Sequence, residues 1–113
     1  MIAKCLIIIY GVIILKRGSN LIFEWDERKA RSNEEKHGVS FDEAETVFYD
    51  PNARLLYDAE HSSDEDRYIL LGMSETQMLL VVCHVYQDDE ETIRIFSARR
   101  ATKREQQQYR SFL

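Results

Sequence analysis

The side chains best suited to chemistry on an anion are gathered between Thr92 and Tyr109, in TIRIFSARRATKREQQQY. From Thr92 to the end stand six basic residues (Arg94, Arg99, Arg100, Lys103, Arg104 and Arg110) against one acid, Glu105. That is a net +5 in a chain whose total is −5. Arg94 alternates with Ile93 and Ile95, so it points to the sheet face opposite the isoleucines. Arg99 and Arg100 fall where this strand hands over to a helix. The helix starts at Thr102, with Glu105 three residues later in capping-box spacing. A helix N-terminus supplies free amides and the positive end of the dipole, and arginine adds a bidentate fork, so the corner is a natural phosphate seat. The competing reading pairs one of the two arginines with an acid from residues 58–66.

The elements that must carry this corner fit in one domain of 113 residues, with 44% apolar and 31% charged content, enough for one modest core. One proline and four glycines leave little room for disordered linkers. Cys5 and Cys83 show neither metal-ligand nor CxxC spacing, which excludes a zinc or dithiol motif and points to a reducing, cytoplasmic setting. Cys83 lies in an apolar run and reads as a buried thiol. No tight cluster of Asp, Glu and His has metal-ligand spacing, and no cofactor is implied. Charge is unevenly spread: residues 1–41 carry +2 and residues 42–91 carry −12. Distinct acidic and basic surfaces follow, suited to an anionic ligand on one side and a basic partner on the other.

Residues 1–20 form an apolar extension, and the domain proper is expected over residues 21–113. Cys5 to Leu15 is eleven uncharged residues flanked by Lys4 and by Lys16-Arg17. It is shorter than the ~20 residues of a membrane span, and no small-x-small cleavage site follows it. An extra strand or an extension without a role is favoured. Membrane contact by residues 1–15 and an export signal are the alternatives.

Beyond it, Leu21 to Trp25 reads as a short strand and Asp26 as an N-cap. Glu27 to Lys36 is helical but almost wholly polar, closed by Gly38 at C′. Val39 to Asp50 reads as a second helix, with Ser40 and Glu43 as a capping box and Val39 and Ala44 as a hydrophobic staple. Phe41, Ala44, Val47 and Phe48 give it one apolar face. Strands follow at Arg54–Tyr57, Arg67–Met73, Met78–Tyr86 and Thr92–Ala98, the last three as an antiparallel meander. Lys103 to Phe112 is the final helix. The fold class is α+β: two N-terminal helices and a C-terminal helix on a mostly antiparallel sheet of about four to five strands.

WDERK at Trp25–Lys29, NEEKHGVSFDEA at Asn33–Ala44, EDR at Glu65–Arg67 and IFSARRATKREQQQY at Ile95–Tyr109 resemble the BrnT family of type II toxin–antitoxin systems. The resemblance covers about Phe23 to Tyr109, and KHGVSF with SARRAT is a specific pair of signals. It implies a RelE/ParE-like fold and a ribonuclease that arrests translation. It further implies neutralisation by a BrnA-like ribbon-helix-helix antitoxin, in a toxin–antitoxin heterotetramer that reaches operator DNA only through the antitoxin. Residues 1–20 match nothing in the family pattern.

Metal-free RNA cleavage needs a base for the 2′-hydroxyl, an acid for the leaving oxygen and fixed cations for the phosphorane. On the resemblance, His37, Lys36, Arg67, Arg99 and Tyr109 are the candidate catalytic residues. Arg94, Arg100, Lys103 and Lys29 are the candidate RNA contacts. Each has a plainer role. His37 suits a helix C-terminus, although its charge also changes near neutral pH. Arg67 has Glu60 and Glu65 as neighbours, and Arg94 is a strand residue open to solvent. Tyr109 suits core packing with Phe112, or base stacking. His84 reads as a satisfied core residue and His61 as part of an acidic loop. The alternative function is a non-catalytic RNA- or protein-binding module acting only with its antitoxin.

Overall fold

Local sequence signals set the ends of most elements. The computed structural model describes residues 21–87 and 91–113. The apolar extension, with the strand, membrane and export readings placed on it, lies outside the described residues, as does the tip of the 87–91 loop. Strand β1 is Ile22–Glu24 and helix α1 is Glu27–His37. The Asp26 carboxylate accepts from the Arg28 amide at 2.8 Å, and Gly38 closes α1 in the left-handed region at φ +71°.

Helix α2 is short, Phe41–Thr46, and the segment Val47–Tyr49 is a 3₁₀ turn rather than a continuation of it. The capping box expected at its start is half formed. Ser40 Oγ accepts from the Glu43 amide at 3.0 Å, but the Glu43 carboxylate reaches across to the Thr76 amide at 3.1 Å and to the Thr76 hydroxyl. Asp50 ends the turn in extended backbone, the conformation favoured before Pro51.

The remaining strands are β2 (Arg54–Tyr57), β3 (Tyr68–Met73), β4 (Leu79–Tyr86) and β5 (Thr92–Arg100), and Lys103–Arg110 is helix α3. The five-stranded sheet has the order β1-β5-β4-β3-β2. Antiparallel pairing runs from β2 through β5, while β1 joins the far edge of β5 in parallel, so the sheet is mixed. No helix among the described residues is long and apolar enough to cross a membrane.

Both sheet faces are used. Phe41, Ala44, Val47 and Phe48 from the α2 segment pack on Leu70, Leu80, Val82, Ile93, Ile95 and Ala98. His84 is fully buried on this face, its Nδ1 3.1 Å from the Val82 carbonyl and its ring edge-on to Phe48. On the opposite face α3 covers only one end, where Tyr109 and Ala101 pack on Leu71 and Val81. Among the described residues no helix lies over the rest of that face, towards Arg67 and Arg94. Cys83, on this face, is half-buried rather than buried.

A β-bulge decides which residues line the open face. Cys83 pairs with Ser97 but His84 pairs with Ile95, leaving Phe96 as an extra residue in β5. Uninterrupted alternation would put Arg99 on the face of Ile93 and Ile95. The inserted residue reverses the phase. Ala98 then joins the isoleucines in the core, and Arg99, opposite Val81, joins Arg94 on the other face.

A candidate nucleic-acid interface

Beyond its pairing with β1, the edge of β5 is occupied by α1. The Asn33 side chain donates to the Ala98 carbonyl at 2.8 Å and accepts from the Ala98 amide at 3.1 Å. It also donates to the Val39 carbonyl at 3.0 Å. A helix residue thereby completes the hydrogen bonding that a sixth strand would have supplied. Lys29 lies by Phe96 and Asn33 by Ala98, so α1 runs in the same direction as β5. Lys36 is two turns beyond Lys29 on nearly the same side of the helix, and His37 is one turn beyond Asn33. Both are exposed on the last turn. The basic end of the polar helix and the Arg99 corner are therefore neighbours.

The arginine corner itself divides in two. Arg99 Nη1 and Nη2 each donate to one Glu105 oxygen at 2.9 Å, and Nη1 also donates to the Arg100 carbonyl at 3.2 Å. The acid that pairs with Arg99 thus comes from α3, the helix that follows its strand, not from residues 58–66. Glu105 completes the capping box as well, accepting from the Thr102 amide at 2.8 Å. The guanidinium partner, aided by this amide, holds the Glu105 carboxyl down at about 2, and the carboxylate raises the Arg99 pKa in return. Among the described residues nothing else accepts from Arg99, so its Nε–H and one Nη2–H form a second fork, on a side chain 40% exposed.

Arg100, one residue on, points to the other side of the strand. Its register partner is Leu80 of the main core, and the side chain is exposed. The structure does not bring it together with Arg99. Lys103 is exposed in the first turn of α3, and Arg94 is exposed on the open face.

Arg67 precedes β3 with its guanidinium carbon 4.4 Å from the centroid of the Phe96 ring, and Lys29 Nζ is 5.1 Å from the same centroid. Its backbone amide donates to Ser62 Oγ at 3.0 Å. The sequence contained Phe96 within the arginine stretch, but only the bulge made it a meeting point.

Tyr109 sits in the core, as the packing reading has it, rather than where a base could stack on it. It is 4% exposed under α3, and its hydroxyl donates to Asp50 Oδ2 at 2.7 Å. Burial raises its pKa, and the Asp50 bond adds to the effect. Phe112, its expected packing partner, is instead exposed with its ring 3.3 Å from the Arg54 guanidinium carbon. Among the described residues one group has the reach to hold a cation: Asp58, Glu60 and His61, with ligand atoms within 4.8 Å of one another. Folding of the acidic loop assembles it, contrary to the reading of spacing alone. It is largely exposed, with His61 Nδ1 2.9 Å from Asp58 Oδ2.

The open face thus offers Arg94, Arg67, Lys29 and the free fork of Arg99, with Lys36 and His37 on the adjoining helix end. Such an arrangement can bind a phosphodiester chain and exchange protons with it. Residues 25–105 match the family model described as ribonuclease toxin, BrnT, of type II toxin–antitoxin systems. Among solved structures, the chain is similar to the 1.1 Å crystal structure of the Brucella abortus ribonuclease toxin BrnT. The TM-score is 0.57 with 22% identity over 74% of this chain and 100% of that one, a likeness in fold. No curated protein matches the chain.

Proposed function

The chain belongs to the BrnT family of type II toxin–antitoxin systems, and on that premise we propose that it is an endoribonuclease that cleaves RNA and inhibits translation in the cytoplasm. The observation that carries the proposal is the Asn33–Ala98 contact, which sets the Lys36–His37 end of α1 beside the strand that carries Arg99.

In this reading the open sheet face holds the RNA backbone through Lys29, Arg94 and Arg67, with Lys103 at the first turn of α3. The second fork of Arg99 receives the scissile phosphate. His37 or Lys36 takes the proton of the 2′-hydroxyl as it attacks phosphorus, and the other returns a proton to the departing 5′-oxygen. Charge on the pentacoordinate phosphate is met by the second fork of Arg99, whose donors need no reorganisation as the reaction proceeds. Tyr109 is omitted from the chemistry because its hydroxyl is engaged by Asp50. Arg100 contacts RNA only where the chain passes around the edge of β5. A ribbon-helix-helix antitoxin of the BrnA type would cover the basic face and bring operator DNA binding to the complex.

Purified protein incubated with RNA and a chelator tests this. We expect cleavage that falls by at least 10²-fold in Arg99→Ala and in His37→Ala with both variants folded. Intact RNA alongside growth arrest on expression would instead favour a binding module without catalysis. The Arg99–Glu105 pair lends that second reading some weight, since it occupies one fork of the central arginine.

A further inference from the structure

Phe96 is the extra residue of the β5 bulge, half-buried on the sheet. Two cations from two other elements converge on its ring: Arg67 at 4.4 Å and Lys29 at 5.1 Å. Neither is in an ion pair with a described residue. The ring's quadrupole draws each cation to it, but no carboxylate of a described residue balances either charge. A phosphate within reach of both would supply that counter-charge. The way they are held matters too. Arg99 spends a fork on Glu105, whereas a guanidinium held against an aromatic ring keeps its in-plane N–H donors for a ligand.

We infer that Phe96 is a positioning residue that presents Arg67 and Lys29 as a second phosphate-binding subsite for RNA, on the same sheet face as Arg99. It rests on the ribonuclease reading for its ligand. At ~3.3 Å per residue, three residues of strand separate this subsite from Arg99 by about 10 Å, so two phosphates of one bound chain can occupy both.

The probe is a 2′-O-methyl oligoribonucleotide, which lacks the attacking hydroxyl. Its affinity is measured across a salt series for the wild type and for Phe96→Leu, Phe96→Trp, Arg67→Ala and Lys29→Ala. Each single-strand phosphate contact contributes about 0.7 to the slope of log affinity against log salt. Arg67→Ala and Lys29→Ala should each lower the slope by at most about 0.7, the contribution of the one phosphate they share. Phe96→Leu should approach that full loss of about 0.7, and Phe96→Trp should keep the wild-type slope. An unchanged slope in Phe96→Leu, with both cation variants reduced, overturns the inference and leaves the ribonuclease reading standing. Wild type that binds with the full slope yet leaves unmodified RNA intact removes the ribonuclease and leaves the subsite. A measurement on the wild type alone guards against a misfolded leucine variant. The δ-methylene protons of Arg67 should be shifted upfield by the Phe96 ring and move on adding the oligonucleotide. Shifts at ordinary arginine values that stay put overturn the inference.

Discussion

The side-chain amide of Asn33 hydrogen-bonds both the amide and the carbonyl of Ala98, 65 residues away, and is 6% exposed. Helix α1 thereby seals the edge of β5 where β1 stops, and the end of a nearly apolar-free helix is held beside the arginine corner. Few apolar contacts were available for that task, since Ala30 is the only apolar residue of α1.

Asn33→Ala should therefore cost about 2–4 kcal/mol, because it strands the buried amide of Ala98 and the carbonyls of Ala98 and Val39. Urea denaturation followed by circular dichroism measures this. A loss below about 0.5 kcal/mol would mean that α1 is held chiefly by other contacts.

Tyr109→Phe removes the hydroxyl that donates to Asp50, whose carboxylate also accepts from the Met73 and Asn52 amides. We expect a loss of about 1–2 kcal/mol in stability and RNA cleavage within about twofold of wild type. Cleavage that collapses while stability holds would return Tyr109 to the site.

The Glu105 carboxyl has a folded pKa of about 2 against an ordinary value of 4.5. A depressed carboxylate stabilises the fold above its unfolded pKa, and that contribution is lost as pH falls from about 4.5 through 2. Glu105→Gln keeps a capping side chain but not the charge. Wild type should exceed it by about 1 kcal/mol at neutral pH, a modest figure because Arg99 is well exposed. The gap should close between pH 4.5 and 2 in paired denaturation curves. A gap independent of pH would mean that the capping bond, not the ion pair, is responsible.

Two glycines should fail for different reasons. A Cβ on Gly72 would lie 2.8 Å from both Ala53 Cβ and Val47 Cγ1, so Gly72→Ala forces the α2 segment off the sheet at about 1–3 kcal/mol. Gly38 has open space around its Cβ position but a φ of +71°, so Gly38→Ala costs about 1–2 kcal/mol in backbone strain. Gly38→Asn should recover part of the loss and Gly72→Asn none. Thermal melts of the four variants distinguish space from backbone conformation.

Caps, stops and element order were legible in the sequence because they are written within a few residues of each other. Asp26 and Gly38 bracket α1, and Thr102 with Glu105 starts α3 as its spacing implies. The basic corner and the motifs shared with BrnT proteins were also visible there. What the chain could not display locally is which side chains share a face. One extra residue at Phe96 reverses the alternation of β5, moving Arg99 onto the open face and Arg100 off it, and that insertion exists only in the pairing with β4. Likewise Asn33 is one polar residue among many on an almost wholly polar helix, Glu43 stands in capping-box spacing, and Tyr109 is an aromatic suited equally to packing or to stacking. Their partners at Ala98, Thr76 and Asp50 are 65, 33 and 59 residues away. Periodicity sorts residues by face only while the period is unbroken, and a hydrogen bond across such distances leaves no spacing to read, so the tertiary structure alone decided how the site is put together.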